Sequence, residues 1–187
     1  MNSLLEQILG ECSLCATQGE VANYIPELSK ANANHFGIAV LSEKGELSFA
    51  GDYKEKFTMQ SIVKPLILLL ALSDKGVERV RELVGVEATG KPFDAFNYSD
   101  QALNSEHINP MINTGAIALC TLIDGDSYTE KFARLLELTR KMTGNPHIQI
   151  NERVYLSEKA TGHKNRALAY MLKAYGMIDA DVEDVLD

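Results

Sequence analysis

The sequence offers one pair of short strands, and its other apolar residues are spaced as in helices. The strands are predicted at 36–41 and 46–50, and the Ser-Glu-Lys-Gly segment between them supplies a hairpin turn with Gly45 at positive φ. So small a sheet needs further strands or a covering helix for stability. The sequence therefore predicts an α/β fold of the α+β type, with an incomplete antiparallel sheet (hairpin near 36–50) and a helical part over about 62–187.

Most of the remaining chain is predicted to be helical. The first helix begins near Ser3, and a second covers 62–73, where Pro65 is tolerated in the first turn and Gly76 marks the end. Further helices are predicted at 77–84, 114–123, 128–143, 151–159, 164–175 and from 180 to the last residue. Residues 85–112 have weak periodicity and are predicted as a long irregular region, a feature that is often functional.

Length and composition predict one globular domain. The chain has 187 residues, of which 45% are hydrophobic and 24% are charged, as in ordinary folded proteins. Its 18 Lys and Arg against 26 Asp and Glu give a net charge of −8. An acidic chain without a basic block is poorly suited to binding phosphates, so neither nucleic acid nor a membrane surface is predicted as a partner.

Signals for export are not found in the sequence. The first ten residues contain no Lys or Arg, unlike a signal peptide, and the longest apolar run, 66–72, is too short to cross a bilayer. The three cysteines, Cys12, Cys15 and Cys120, are too few and odd in number for a secreted disulfide framework. We therefore predict a cytoplasmic protein.

No metal and no cofactor are predicted. The four histidines lack metal-ligand spacing, and neither a G-x-G-x-x-G nor a Walker pattern is present. Cys12 and Cys15 form a C-x-x-C pair, but they lie on an amphipathic helix and no second pair follows. A place on a helix face is therefore preferred to a redox or zinc function for these two residues.

Ser61 and Lys64 are the first candidates for catalysis. On a helix they share one face, and a serine hydroxyl needs a base such as a lysine whose pKa is depressed by apolar neighbours. The alternative is a helix N-cap serine followed by an exposed lysine, since about one S-x-x-K is expected by chance in such a chain. The position after a hairpin, at the start of an apolar helix, favours the layout of serine acyl transferases.

Asn113 is a second candidate. Pro110 forces Asn109 into an extended conformation, so Asn113 is predicted to lie where the next helix begins. An asparagine there usually caps the helix. The alternative is an amide that hydrogen-bonds a carboxylate or an amine of a substrate, and the two roles are compatible.

Three further polar residues are candidates for binding. Gly162 breaks a helix between Glu158 and Asn165, and a carboxylate at such a bend could bind an ammonium group. The alternative for Glu158 is a solvated charge on a loop. Tyr24 lies beside Ile25 and Pro26, where a half-buried core residue is the more usual outcome.

Together these residues resemble the serine-dependent glutaminases of the β-lactamase-like superfamily. The resemblance runs from the first helix to the last residue, and its motifs are 19–26 (GEVANYIP), 60–66 (QSIVKPL), 109–116 (NPMINTGA), 157–158 (SE) and 162–165 (GHKN). It implies a β-lactamase/transpeptidase-like fold and a two-step hydrolysis of L-glutamine to L-glutamate and ammonia. It also implies a homotetramer and no cofactor.

The resemblance assigns a role to each candidate residue. Ser61 resembles the nucleophile that attacks the γ-carboxamide, and Lys64 the group that takes its proton. Tyr24, Asn113, Glu158 and Asn165 resemble the positions that hold the substrate, chiefly its α-amino and α-carboxylate groups, and Ser61 is counted with them as a substrate-binding residue. Glu158 is the one carboxylate among them and suits an ammonium group.

The family pattern continues past Asp187. Two later tyrosines, a glycine-rich segment with a second oxyanion donor, and further strands are expected there, so the chain resembles an N-terminal portion of one glutaminase catalytic domain, residues 1–187. A site that lacks an oxyanion donor loses about 10²–10³ in rate, so the fragment alone is expected to be weak or inactive. The alternatives are a penicillin-recognising acyl-serine protein and a non-catalytic amino-acid-binding fragment.

Overall fold

The computed structural model describes residues 1–16, 18–88, 90 and 108–187. Two compact units are formed. The hairpin unit comprises Met1–Thr58 and Asn151–Thr161, and the helical unit comprises Met59–Ile150 and Gly162–Asp187. The predicted irregular region, 85–112, lies for the most part outside the described residues, and its described ends, 85–88 and 108–112, are not helical.

The elements of the described residues agree with the predicted order of a helix, a hairpin and further helices. The bounds are α1 (Asn2–Ala16), β1 (Gly37–Leu41), β2 (Leu47–Gly51), α2 (Lys64–Leu83), α3 (Asn113–Cys120), α4 (Tyr128–Thr143), α5 (Glu152–Thr161), α6 (His163–Ala174) and α7 (Val182–Leu186), with 3₁₀-helices at Pro26–Lys30 and Gln60–Val63. Across these residues, no helix combines the length and the apolar character that crossing a bilayer demands.

In the hairpin unit, β1 and β2 pair antiparallel, with Gly37 opposite Gly51. Gly45 has the predicted positive φ of 79°, and α1 packs against β2. The predicted apolar face of α1 is only partly buried: Leu5 is buried, whereas Leu4 is 54% exposed. A sheet of two strands is too narrow to cover a whole helix face, which explains the difference.

In the helical unit, α3 is the central element. Every side chain from Thr114 to Leu119 is buried, because α2 and α6 both pack against this helix. A helix that is buried all round needs apolar or small residues at each position, and this segment supplies them. The core extends along α2 and α6 through a continuous cluster of buried apolar residues: Ile67, Leu70, Ala71, Val80, Leu83, Ile117, Ala118, Leu119, Leu168, Ala169 and Leu172.

The predicted break at Gly76 is confirmed. Gly76 has φ 77° and ψ 170° inside α2, so two helical segments meet there. Asp74, just before the break, accepts hydrogen bonds from both terminal nitrogens of Arg134 on α4 and from the backbone N–H of Asp124. This carboxylate therefore joins the bend to α4.

Candidate active site

Ser61 and Lys64 lie at the junction of the second 3₁₀-helix with α2. Ser61 is exposed within the 3₁₀-helix, and Lys64 is the first residue of α2, with only 7% of its surface exposed. Burial lowers the pKa of the Lys64 amine. The N-cap of α2 is Val63, so the alternative of a capping serine and an exposed lysine is wrong.

Gln60 shows a backbone feature that sequence reasoning missed. Its φ is +45°, in the left-handed region that a residue with a side chain rarely occupies. Such conformations persist where the surrounding structure requires them, and they are frequent at functional sites. No composition or spacing signal distinguishes a glutamine with this backbone from any other glutamine, and the residue lies directly before Ser61.

A chain of hydrogen bonds connects the amine of Lys64 to two asparagines. Lys64 Nζ donates to Asn113 Oδ1 at 2.8 Å and to the carbonyl oxygen of Met111 at 3.1 Å. Asn113 Nδ2 in turn donates to Asn165 Oδ1 at 3.0 Å. The chain joins α2, α3 and α6, so residues at 64, 113 and 165 meet although they are far apart in the sequence.

Asn113 is not the cap of α3. The N-cap is Ile112, and Asn113 is the first helical residue, so the simple capping interpretation is wrong. Its side chain is half-buried and its amide is held at both ends, by Lys64 and by Asn165. These two contacts fix which way the amide faces.

The turn before α3 holds Asn113 in place. Asn109 Oδ1 accepts from the backbone N–H of Met111 at 2.8 Å, and Asn109 Nδ2 donates to the carbonyl oxygen of Glu87 at 3.0 Å. A Cβ at Gly115 would lie 2.1 Å from the carbonyl oxygen of Asn109, so only glycine permits this approach. The roles of Asn109 and Gly115 were not predicted, although a glycine early in an apolar helix is a signal of close approach.

Tyr24 and Glu158 lie in the hairpin unit. Tyr24 is 65% exposed and the adjacent Ile25 is buried, so the interpretation of Tyr24 as a core residue is wrong. Desolvation raises the pKa of the Tyr24 hydroxyl, and the negative charge of Glu158 raises it further. The charge of Glu158 therefore affects the ionisation of the Tyr24 hydroxyl.

Glu158 is half-buried on α5 rather than on a loop. Desolvation raises the pKa of its carboxyl, which means that burial penalises its negative charge. The neighbouring Ser157 accepts a hydrogen bond at its Oγ from the backbone N–H of Glu27 at 3.2 Å. That bond fastens α5 to the 3₁₀-helix that follows Tyr24. The predicted helix break after Glu158 is confirmed, because α5 ends at Thr161 and α6 begins at His163.

Among the described ranges, no three His, Cys, Asp or Glu side chains cluster in a way that could hold a metal ion. The polar groups that the helical unit gathers are an amine and two amides. An amine of lowered pKa is more often neutral, so its lone pair can accept a proton, and amides bind carboxylates and amines. The arrangement therefore suits proton transfer and the binding of a polar organic molecule.

The chain matches a known family along most of its length. The family model described as "Glutaminase" matches residues 19–187. Glutaminase 2 of Clostridium perfringens is 47% identical over all 187 residues, and the glutaminase of Clostridium tetani is 48% identical. The chain spans 61% of the length of each of these curated relatives.

A solved structure agrees with this family. It is the Bacillus subtilis glutaminase in a covalent complex with 5-oxo-L-norleucine, formed by reaction with 6-diazo-5-oxo-L-norleucine. The likeness has a TM-score of 0.85 at 34% identity and covers 99% of this chain and 57% of that one. The α+β fold is therefore that of the β-lactamase-like glutaminases. With most of its length matched by the family model and close relatives throughout, the chain belongs to the glutaminase family.

Proposed function

We propose that this chain carries the nucleophile, the base and part of the substrate site of a glutaminase that converts L-glutamine to L-glutamate and ammonia. The observation that carries the proposal is the buried Lys64 amine, which is held by Asn113 and the Met111 carbonyl, three residues after Ser61 in a chain of this family. The whole enzyme is an amidohydrolase acting on linear amides, and no cofactor takes part.

Lys64 acts as the base in this proposal. The Asn113 side-chain oxygen and the Met111 carbonyl oxygen accept hydrogen bonds from the Lys64 amine, which carries one lone pair in its neutral form. The lowered pKa of Lys64 favours the neutral form. The lone pair then takes the proton of Ser61 as its oxygen attacks the amide carbon of glutamine.

The reaction proceeds in two steps. The proton held by Lys64 passes to the leaving nitrogen, ammonia departs, and a glutamyl ester remains on Ser61. Water then hydrolyses the ester, with Lys64 again taking and returning a proton. The backbone N–H of Ser61, at the start of a helix and preceded by the left-handed Gln60, is placed in our proposal as a donor to the developing oxyanion.

The amino-acid end of glutamine is held by the other predicted residues. Glu158 binds the ammonium group, and the new positive charge compensates the burial of its carboxylate. Tyr24 offers a hydroxyl to the substrate. Asn165 Oδ1 accepts a hydrogen bond from Asn113. The Nδ2 group of Asn165 is therefore the donor that we assign to the α-carboxylate of the substrate.

The chemistry of the Bacillus subtilis relative supports a covalent route. The compound that reacts with that protein is an L-amino acid with a carbonyl at carbon 5, where glutamine has its amide carbon. A nucleophile placed for that carbon is placed for the amide carbon of glutamine. In this chain, we assign that nucleophile to Ser61.

Ammonia release from L-glutamine tests the proposal. The chain is assayed alone and as a chimera completed with the C-terminal part of the Clostridium tetani relative. Ser61→Ala lowers the rate about 10³-fold or more, whereas Ser73→Ala, at an exposed position on α2, leaves it unchanged. The rate of the wild type falls as the pH drops through the lowered pKa of Lys64, because the base must be neutral.

Labelling by 6-diazo-5-oxo-L-norleucine, followed by intact mass, gives a second measurement. The wild type gains a covalent adduct and Ser61→Ala does not. Turnover or labelling that survives Ser61→Ala contradicts the assignment. A penicilloyl adduct would instead identify a penicillin-recognising protein, and glutamate binding without turnover by the chimera would identify a binding module.

Three finer properties complete the proposal. We expect the 187-residue chain alone to be weak or inactive, because it spans 61% of the length of its relatives. We expect the whole protein to be a cytoplasmic homotetramer, on the resemblance to the family. Native mass spectrometry of the chimera and cell fractionation test these two expectations.

A further inference from the structure

The C-terminal half of α1 carries two thiols that the proposed reaction does not use. Cys12 and Cys15 are both free and exposed, and they are three residues apart on the same helix. Cys120 on α3 differs from them, because it is half-buried and desolvation raises the pKa of its thiol to about 11, so less of it is present as the reactive thiolate. The chain thus contains an exposed pair and a half-buried thiol that serves as an internal reference.

Helix geometry nearly permits a bond between the two exposed sulfurs. Residues three apart on an α-helix have Cα atoms about 5 Å apart, within the range of about 4.4–6.8 Å found for disulfides. Their Cβ atoms are about 5–6 Å apart, whereas a disulfide brings them to about 3.5–4.5 Å. Closure of the pair therefore requires the last turn of α1 to loosen.

Because the C-terminal half of α1 is exposed, loosening its last turn costs little free energy. Every residue from Gly10 to Cys15 is exposed, and no atom lies within 4 Å of a Cβ built at Gly10. The helix is held at its other end, where Leu5 is buried and Asn2 Oδ1 accepts from the backbone N–H of Phe49 at 3.1 Å. The last turn can therefore open without disturbing the contacts that anchor the helix.

We propose that Cys12 and Cys15 form a vicinal dithiol site that low-molecular-weight disulfides close reversibly and that trivalent arsenicals bind. One thiolate attacks the reagent disulfide, forms a mixed disulfide and releases one reagent thiol. The other thiolate attacks the protein sulfur of that mixed disulfide and releases the second reagent thiol. The protein loses two protons and two electrons, and the reagent disulfide gains them as it becomes two thiols.

The position of the pair distinguishes it from a catalytic C-x-x-C motif. In disulfide oxidoreductases the first cysteine lies at a helix N-terminus, where the helix dipole stabilises the thiolate. Here both cysteines lie toward the C-terminus of α1, where the dipole gives no such help. The pair is accordingly a modification site, and its closure is followed at equilibrium over hours.

Oxidised glutathione at a range of redox potentials tests the site in the chain as it exists. After equilibration, unreacted thiols are alkylated under denaturing conditions and intact mass is measured. The wild type is expected to gain one alkyl group, on Cys120, instead of three. Lys30 is the first basic residue of the chain, so both cysteines fall in the tryptic peptide 1–30, which is expected to be lighter by two hydrogens.

Single Cys→Ser variants show which thiols take part in closure. Cys12→Ser and Cys15→Ser change exposed positions, and each is expected to block closure, whereas Cys120→Ser leaves closure intact. Phenylarsine oxide, which joins two thiols with loss of one water, is expected to bind the wild type and Cys120→Ser one to one. Either single variant of the exposed pair is expected to bind it at least tenfold more weakly.

Several results would overturn the proposal. One is three alkyl groups on the wild type at oxidising potentials where a control dithiol closes. Another is a pair of stable glutathione adducts on the peptide 1–30. Equal arsenical binding by the wild type and Cys12→Ser would contradict it as well. None of these outcomes bears on the role of Ser61, so the failure of one proposal leaves the other intact.

Discussion

The two units of this chain differ in how much apolar surface they bury. In the helical unit, a single cluster of 17 buried apolar residues joins α2, α3, α6 and α7. In the described part of the hairpin unit, only Leu5, Ile25, Ala50 and Val154 are buried apolar residues. Lys64, Asn113 and Asn165 are therefore mounted on a packed core, whereas Tyr24 and Glu158 stand on lightly packed elements. We therefore expect the side chains of Lys64, Asn113 and Asn165 to be held more firmly than those of Tyr24 and Glu158.

Truncation of a core residue is expected to have the largest effect on stability. Leu119→Ala on α3 removes a fully buried side chain and should lower the free energy of unfolding by about 2–5 kcal/mol. Leu5→Ala should cost less, because fewer neighbours surround it in the hairpin unit. Urea denaturation measures both. Equal losses would break the comparison between the two units.

Replacing glycine by alanine is expected to change the free energy of unfolding in opposite directions in the two units. Gly115→Ala places a Cβ 2.1 Å from the Asn109 carbonyl oxygen, and the clash should cost about 3 kcal/mol. Gly10→Ala, in an open position on α1, should instead stabilise the protein by about 0.5–1 kcal/mol. Thermal unfolding followed by circular dichroism measures both changes. A loss of stability in both variants would show that α1 is more tightly packed than we describe.

The ion pair at the bend of α2 should matter more than an exposed pair. Asp74→Asn should cost about 2 kcal/mol, because its side chain is 6% exposed and its carboxylate binds Arg134. Lys30→Gln, which breaks an exposed pair with Glu27, should cost less than about 0.5 kcal/mol. Urea denaturation at pH 7 compares the two variants. A cost for Lys30→Gln as large as that for Asp74→Asn would contradict this ranking.

The pH dependence of the Asp74 contribution has a definite sign. The hydrogen bonds from Arg134 lower the pKa of Asp74 in the folded chain. The stabilisation is therefore present above the unfolded pKa of about 3.9, and it is lost as the pH falls through the lower folded pKa. The difference in unfolding free energy between the wild type and Asp74→Asn should shrink toward acid pH. A difference that grows below pH 4 would contradict the assignment.

A small effect is expected at Gln60. Glycine adopts a φ of +45° without strain, so Gln60→Gly should change the unfolding free energy by less than about 1 kcal/mol, in the stabilising direction. Ser73→Gly, at an ordinary helical position of α2, should lose about 0.5–1 kcal/mol. Urea denaturation separates the two signs. A clear loss for Gln60→Gly would argue against the left-handed backbone before Ser61.

Local chemistry made several elements predictable. The Ser-Glu-Lys-Gly turn fixed the hairpin to within one residue, and Gly76 marked the bend of α2, because both depend on φ values that glycine alone adopts easily. The first turn of α2 was predictable in the same way, since Pro65 fits only there.

The site itself required tertiary information. The acceptors of Lys64 come from residues 47 and 49 positions away, so sequence spacing could not reveal its burial or its partners. The capping interpretation of Asn113 failed because the chain enters α3 through Ile112 and uses Asn113 to hold Lys64. The left-handed backbone of Gln60 could not be predicted, because glutamine does not favour this conformation.

The fixed amide of Asn113 gives the site a direction. Its oxygen faces the amine of Lys64 and its nitrogen faces Asn165, so charge gained at one end is felt at the other. When Lys64 takes up a proton, it draws electron density toward the Asn113 oxygen and makes the Asn113 N–H a stronger donor. Lys64, Asn113 and Asn165 thus form one polarised chain of hydrogen bonds, and Asn113→Asp, which has no side-chain N–H to donate, is expected to interrupt it at its centre.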